Sequence, residues 1–112
     1  MSDIKILQEK VQNFIQKRDW EQFHSPKNVS MSIAIESAEL MELFQWRTTQ
    51  ESSMKDLISK KRPEIEDEVA DIMIYLLSFV NVCEIDLYDA VIKKIERNKT
   101  RFPIEKVKGK FE

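Results

Sequence analysis

Only one glycine, Gly109, occurs in the 112 residues, and it stands near the C-terminal end. β-Rich domains draw on glycine for tight turns, and phosphate-cradling loops draw on it for close backbone approach. Its scarcity removes sheet architectures and the Rossmann and P-loop routes to nucleotide binding, and leaves helices. At this length the chain makes one domain, because a second would lack residues for its own core. With 18 basic and 20 acidic side chains the formal net charge is -2, which argues against a nucleic-acid polymer as partner. The single cysteine, Cys83, leaves no intramolecular disulfide and fits a reducing, cytoplasmic setting. The longest apolar run, Ile72 to Val80, is broken by Ser78 and is too short to span a bilayer. No secretory leader is expected at the start of the chain.

The apolar spacing predicts four helices. The first covers Asp3 to Lys17, with Ile4, Leu7, Val11, Phe14 and Ile15 along one face. An aromatic and polar loop follows from Arg18 to His24. Ser25 then caps a second helix, with Pro26 in its first turn, running to about Trp46. A polar connection leads on from Arg47 to Ser59, with room for one turn around Met54 to Ile58. Pro63 suits the first turn of a third helix that ends near Val82 or Cys83. Asp86 caps a fourth, reaching Phe102, where Pro103 stops it. Residues 1–103 form the predicted domain, and 104–112 a basic, loosely held tail.

In the third helix, Ile72 through Val80 is apolar around the whole circumference. Such a helix must be covered on every side, and a bundle of four short helices cannot easily surround one of its members. Self-association is the expected remedy, and the plainer alternative is a central core helix in a compact monomer.

Four carboxylates lie where apolar side chains should be. With 100° per residue, Val29, Ile33, Leu40, Leu43 and Phe44 fall within about 80° of Glu36, and Glu39 lies at the edge of that arc. Glu68 and Asp71 repeat the i, i+3 spacing on the third helix, beside Ile72 and Tyr75. Ionised carboxylates near a core neutralise or find partners. A hard divalent ion such as Mg²⁺ supplies that partner and keeps positions for water and phosphate oxygens. The plainer alternative is that these are four of the chain's many solvated acids. On the fourth helix Lys94, Asn98 and Arg101 line one edge of an apolar arc, where they can receive phosphate oxygens or simply carry their heads to water. Trp20 and Trp46 stand at segment ends, where a flat ring can stack on a nucleobase or plug the end of a bundle. His24 can meet a polar edge of the same ligand.

Glu36-Ser37-Ala38-Glu39 followed by Glu68-Val69-Ala70-Asp71 resembles the E-x-x-E, spacer, E-x-x-D pattern of the MazG-like, all-α nucleoside triphosphate pyrophosphohydrolases. Arg18 to His24, Glu42 to Trp46, Asp71 to Tyr75 and Asn98 to Pro103 are similar to the dCTP pyrophosphatase branch. The resemblance implies an all-α, four-helix-bundle-like fold, assembled as a dimer or a dimer of dimers with sites shared between subunits. It implies cleavage of the α–β phosphoanhydride of a nucleoside triphosphate, with dCTP as the expected substrate. Glu36, Glu39, Glu68 and Asp71 would be the ligands of Mg²⁺, with Mn²⁺ as a substitute, one glutamate activating water. Trp20, His24, Trp46 and Tyr75 would lie against base and sugar, and Lys94, Asn98 and Arg101 against phosphates. Val11 departs from the pattern, standing where a dCTP-type relative has histidine, and it can neither donate nor accept a hydrogen bond. A different or broader base preference is one alternative, and a non-catalytic helical interaction protein is another.

Overall fold

Seven α-helices and one short 3₁₀ turn make up the described residues, 1–110, of the computed structural model. The all-α expectation is met, and among the described residues no strand occurs. Helix α1 spans Asp3–Lys17, as its apolar spacing requires. The Ser2 hydroxyl accepts from the Lys5 N–H at 3.3 Å and caps it. At its far end Asp19 adopts φ 52°. The Trp20 N–H donates to the Ile15 carbonyl at 3.1 Å and the Asp19 N–H to Gln16 at 3.0 Å. That pair of bonds is a Schellman ending, built on aspartate where glycine is usual. Glu21–Phe23 then form the 3₁₀ turn.

Helix α2, Pro26–Glu42, starts at the expected Ser25 cap. It stops four residues short of the predicted end at Trp46. Leu43, Phe44 and Gln45 instead donate to carbonyls three residues back, at 3.2, 3.0 and 3.4 Å, which tightens the end of the helix. The reason lies just beyond. Thr48 takes extended geometry as the N-cap of α3, Thr49–Ser52, so the helical path must end first. In that cap the Glu51 N–H donates to the Thr48 hydroxyl at 3.1 Å and the Thr48 N–H to the Glu51 carboxylate at 3.2 Å. The polar connection thus holds two short helices, α3 and α4 (Lys55–Lys60), where one turn was expected.

Helix α5 runs from Arg62 to Val82 and α6 from Leu87 to Arg101, the latter capped by the Asp86 carboxylate on the Asp89 N–H at 3.0 Å. Between them Glu84 repeats the left-handed Schellman ending, at φ 53°, with the Ile85 N–H on the Val80 carbonyl at 3.0 Å. A short α7, Ile104–Val107, lies in the basic tail, whose last residues, 111–112, are outside the described residues.

The body is α2 laid along α5, with α1 crossing the same helix. Glu36 meets Glu68 at one end of the α2–α5 pair, and Ser25 lines a cavity with Ser78 and Val82 at the other, so the two helices run antiparallel. Val11, Ile15 and Leu77 form the core cluster, with Leu87 packed against it. A clamp ties α1 to α5. Gln8 Nε2 donates to Asn81 Oδ1 at 3.0 Å, while Asn81 Nδ2 donates to the Gln8 carbonyl at 3.1 Å. Beyond Leu87, α6 has no extended packing on any other helix. The radius of gyration is 17.4 Å, against about 13 Å for a compact domain of this length. Met73 and Ile74 on α5, and Val91, Ile92 and Ile95 on α6, stay exposed. The all-round apolar stretch of α5 is therefore not surrounded by the described residues.

Candidate active site

The i, i+3 spacing puts Glu36 and Glu39 on one face of α2, and Glu68 and Asp71 on one face of α5. Packing those faces together brings one carboxylate oxygen each of Glu36, Glu39 and Glu68 within 4.8 Å of one another. Asp71 stands at the margin of this trio, close enough for its charge to act on both Glu36 and Glu68. Glu36 Oε2 and Glu68 Oε2 are buried and have no hydrogen-bond partner among the described residues. Among the described residues, no ion pair involves any of the four acids.

That arrangement raises the carboxyl pKa values. Glu36 is pushed up to about 7 by a hydrogen bond shared with Glu39, then by burial, then by the charges of Glu39, Asp71 and Glu68. The Glu36–Glu39 contact becomes a hydrogen bond only when one of the two holds a proton, since ionised carboxylates only accept. Glu68 is raised first by burial and next by its neighbour Glu39. Close carboxylates that are partly buried hold a proton, or else a cation. The donor set is all oxygen, suited to a hard divalent ion, and two orphaned oxygens already face one another's charge. These residues fit such an ion.

Tyr75 lies one turn beyond Asp71 on the same face of α5 and is half-buried. Trp20 is 42% exposed and meets Phe14 edge to face, with centroids 5.9 Å apart. The Arg18 guanidinium lies 3.7 Å over the Phe14 ring. His24 Nδ1 bonds the Trp20 carbonyl at 2.7 Å. A carbonyl only accepts, so Nδ1 donates in this bond. Trp46 is 87% exposed. It follows the C-terminal end of α2, while Trp20 precedes the N-terminal end, with about 24 Å of helix between. One chain therefore does not bring the two tryptophans to the same ring.

The basic stripe of α6 stands apart as well. Lys94 and Arg101 are exposed and Asn98 is half-buried. The Arg101 guanidinium lies 5.0 Å over Phe102. Within one chain these three do not join the carboxylates, because α6 leaves the body at Leu87. Sequence reasoning also passed over Ser78, which is buried with an unpaired hydroxyl. Its signal was present, as the one aliphatic hydroxyl in the apolar stretch Ile72–Val80.

The model of the MazG-like family matches residues 31–110. The chain belongs to the MazG-like family. Mouse dCTP pyrophosphatase 1 is 38% identical over 96 residues, covering 86% of this chain and 56% of that protein. Human dCTP pyrophosphatase 1 is 39% identical over 90 residues, covering 80% and 53%. The chain thus spans about half the length of these curated relatives. A crystal structure of a pyrophosphatase from Archaeoglobus fulgidus superposes with a TM-score of 0.85 at 38% identity, covering 92% of this chain and 94% of that one. The family resemblance drawn from the paired acidic motifs is met, and the all-α fold with it. No described helix is long and apolar enough to cross a membrane.

Proposed function

We propose that this chain is a nucleoside triphosphate pyrophosphohydrolase that uses Mg²⁺, with Mn²⁺ as a substitute, and acts on dCTP in the cytoplasmic nucleotide pool. The observation that carries the reading is the convergence of Glu36, Glu39 and Glu68, two of them with buried, unpaired oxygens. The names of the mouse and human relatives and of the archaeal structure support the same chemistry. Glu36, Glu39 and Glu68 would hold the ion, with Asp71 completing the set. When bound, the ion neutralises charge on phosphate oxygens and makes water a better nucleophile. One of the glutamates takes the proton of the attacking water. The water oxygen bonds to the α-phosphorus as the bond from that phosphorus to its bridging oxygen breaks. The products are the monophosphate and pyrophosphate, the latter carrying the bridging oxygen. Tyr75, Trp20 and His24 would lie against sugar and base.

The active form is a dimer or a dimer of dimers, in which a second copy supplies what one chain leaves distant: Trp46, Lys94, Asn98 and Arg101. Two features support this. The open apolar faces of α5 and α6 lack cover, and the radius of gyration is large for the length. An apolar groove of about 520 Å³, walled by Leu7, Val11, Val69, Met73 and Leu77, is consistent with such packing. Residues 1–103 form the working unit and the basic tail lies outside the site. The test is turnover of a panel of deoxynucleoside triphosphates with Mg²⁺, read as pyrophosphate release beside the molar mass in solution. Release from dCTP by an oligomer is the expected result. A monomer that turns over no nucleotide would overturn the reading.

A further inference from the structure

Ser78 is 1% exposed, and its hydroxyl has no partner among the described residues. A buried hydroxyl without a hydrogen bond is costly enough that folded chains rarely keep one. Ser78 lines a cavity of about 330 Å³, together with Gln12 and Ile15 of α1, Glu21, His24 and Ser25 of the segment between α1 and α2, and Asn81 and Val82 of α5. That volume is at the small end of ligand sites. Its walls divide by chemistry. Ile15 and Val82 offer apolar surface to a flat ring, whereas Ser78, Gln12, Asn81, Ser25 and His24 carry donors and acceptors and Glu21 a carboxylate that accepts. Asn81 keeps its amide fixed through the clamp to Gln8, at 3.0 and 3.1 Å, so its remaining N–H and lone pair are held in place. Among the described residues the Gln12 side chain has no hydrogen-bond partner, and it can turn toward a ligand.

The position of the cavity matters as much as its lining. Glu68, Asp71, Tyr75 and Ser78 share one face of α5, within about 80° of each other. Ser78 lies about 10 Å along the helix from Asp71, roughly the reach of a nucleoside whose α-phosphate sits at the carboxylates. Antiparallel α2 closes the same end of the groove with Ser25.

We infer that this cavity is the subsite that reads the hydrogen-bonding edge of the nucleobase, with the Ser78 hydroxyl and the Gln12 amide as its specificity-determining contacts. The inference rests on the pyrophosphohydrolase reading and adds to it where base selection is made. The cavity lies far from the bond that breaks. Its contacts therefore act on binding in ground and transition states alike, and their loss raises KM while leaving kcat nearly unchanged.

The experiment compares the full chain with Ser78→Ala and Gln12→Ala, using dCTP, dUTP, dTTP, dATP and dGTP with Mg²⁺ and pyrophosphate release as readout. For the preferred base, each variant should lose roughly five- to tenfold in kcat/KM through KM, and the preference over the other bases should shrink accordingly. Ser78→Ala should melt no lower than the parent, since it removes an unpaired buried hydroxyl. If that variant fails to fold, Gln12→Ala, whose side chain is half-exposed, carries the test alone. An unchanged base preference in folded variants would overturn the inference, as would an equal loss for all five nucleotides. A parent enzyme that turns over all five equally would do the same, while leaving the pyrophosphohydrolase reading in place. A parent chain that turns over none would instead overturn that reading.

Discussion

Glu36→Gln gives the sharpest account of what the carboxylate trio is for, because it should move stability in opposite directions with and without a divalent ion. Glutamine keeps the shape of a protonated carboxyl but carries no charge. In chelator, the variant no longer sets a fourth negative charge beside Glu39, Glu68 and Asp71, all of which act on Glu36. It should therefore melt at or above the wild-type temperature. With Mg²⁺ at about 100 times its Kd, the wild-type chain gains about 2.7 kcal/mol. For a domain of this size, at about 4 °C per kcal/mol, that is roughly 10 °C. A variant whose affinity drops about 100-fold keeps RT ln 2 at the same Mg²⁺ concentration, about 0.4 kcal/mol or 2 °C. Differential scanning fluorimetry of both proteins, in chelator and in Mg²⁺, reads all four states. An Mg²⁺ gain in Glu36→Gln equal to that of wild type would refute the assignment of Glu36 as a ligand. A marked fall in its melting temperature in chelator would show that Glu36 pairs with a positive group instead.

The raised pKa of Glu36, about 7, sets the direction of two pH profiles. Its protonated form is favoured in the fold, so that contribution to stability is full below pH 4.5 and is lost as pH rises through about 7. Melting in chelator should fall over that window, and Mg²⁺ binding followed by calorimetry should tighten over the same window as protons leave; a flat profile for both would contradict the coupling. Leu77→Ala should cost about 2–5 kcal/mol in urea unfolding, since Leu77 joins α1 to α5 in the core; a loss under about 1 kcal/mol would mean the site collapses freely. Glu84→Gly relieves a left-handed backbone at φ 53° and should add about 0.5–1 kcal/mol, which the same denaturation series would detect. Ile95→Glu, on the open face of α6, should lower the molar mass seen by light scattering and reduce turnover; an unchanged assembly would place the subunit contact elsewhere.

Helix positions and the acidic motif were legible because both depend on local periodicity. Ser25-Pro26, Asp86 and the spacing from Ile4 to Ile15 set three of the starts, and i, i+3 geometry put each acid pair on one face. The errors came where local signals compete. Apolar Leu43 and Phe44 extend the pattern of α2, but the Thr48–Glu51 capping box recruits the chain into a new helix and ends the old one early. That box, T-x-x-E, stood in the sequence as a helix start. The site residues on α6 illustrate a deeper limit. Periodicity says that Lys94, Asn98 and Arg101 share an edge; it does not say which chain that edge faces, and α6 meets little of its own. The shortage of glycine proved less restrictive than composition suggests, since Asp19 and Glu84 adopt the left-handed endings that glycine usually serves.

Phosphorus NMR of dCTP hydrolysis, run with Mg²⁺ on the parent chain and on Glu39→Gln, bears most directly on the central claim. The account predicts dCMP and pyrophosphate in equal amounts from the parent chain, with turnover reduced at least about 100-fold in the variant. Release of orthophosphate and dCDP would put the cut at the β–γ bond, and full activity in Glu39→Gln would move the chemistry away from the α2–α5 carboxylates. Either result would contradict it.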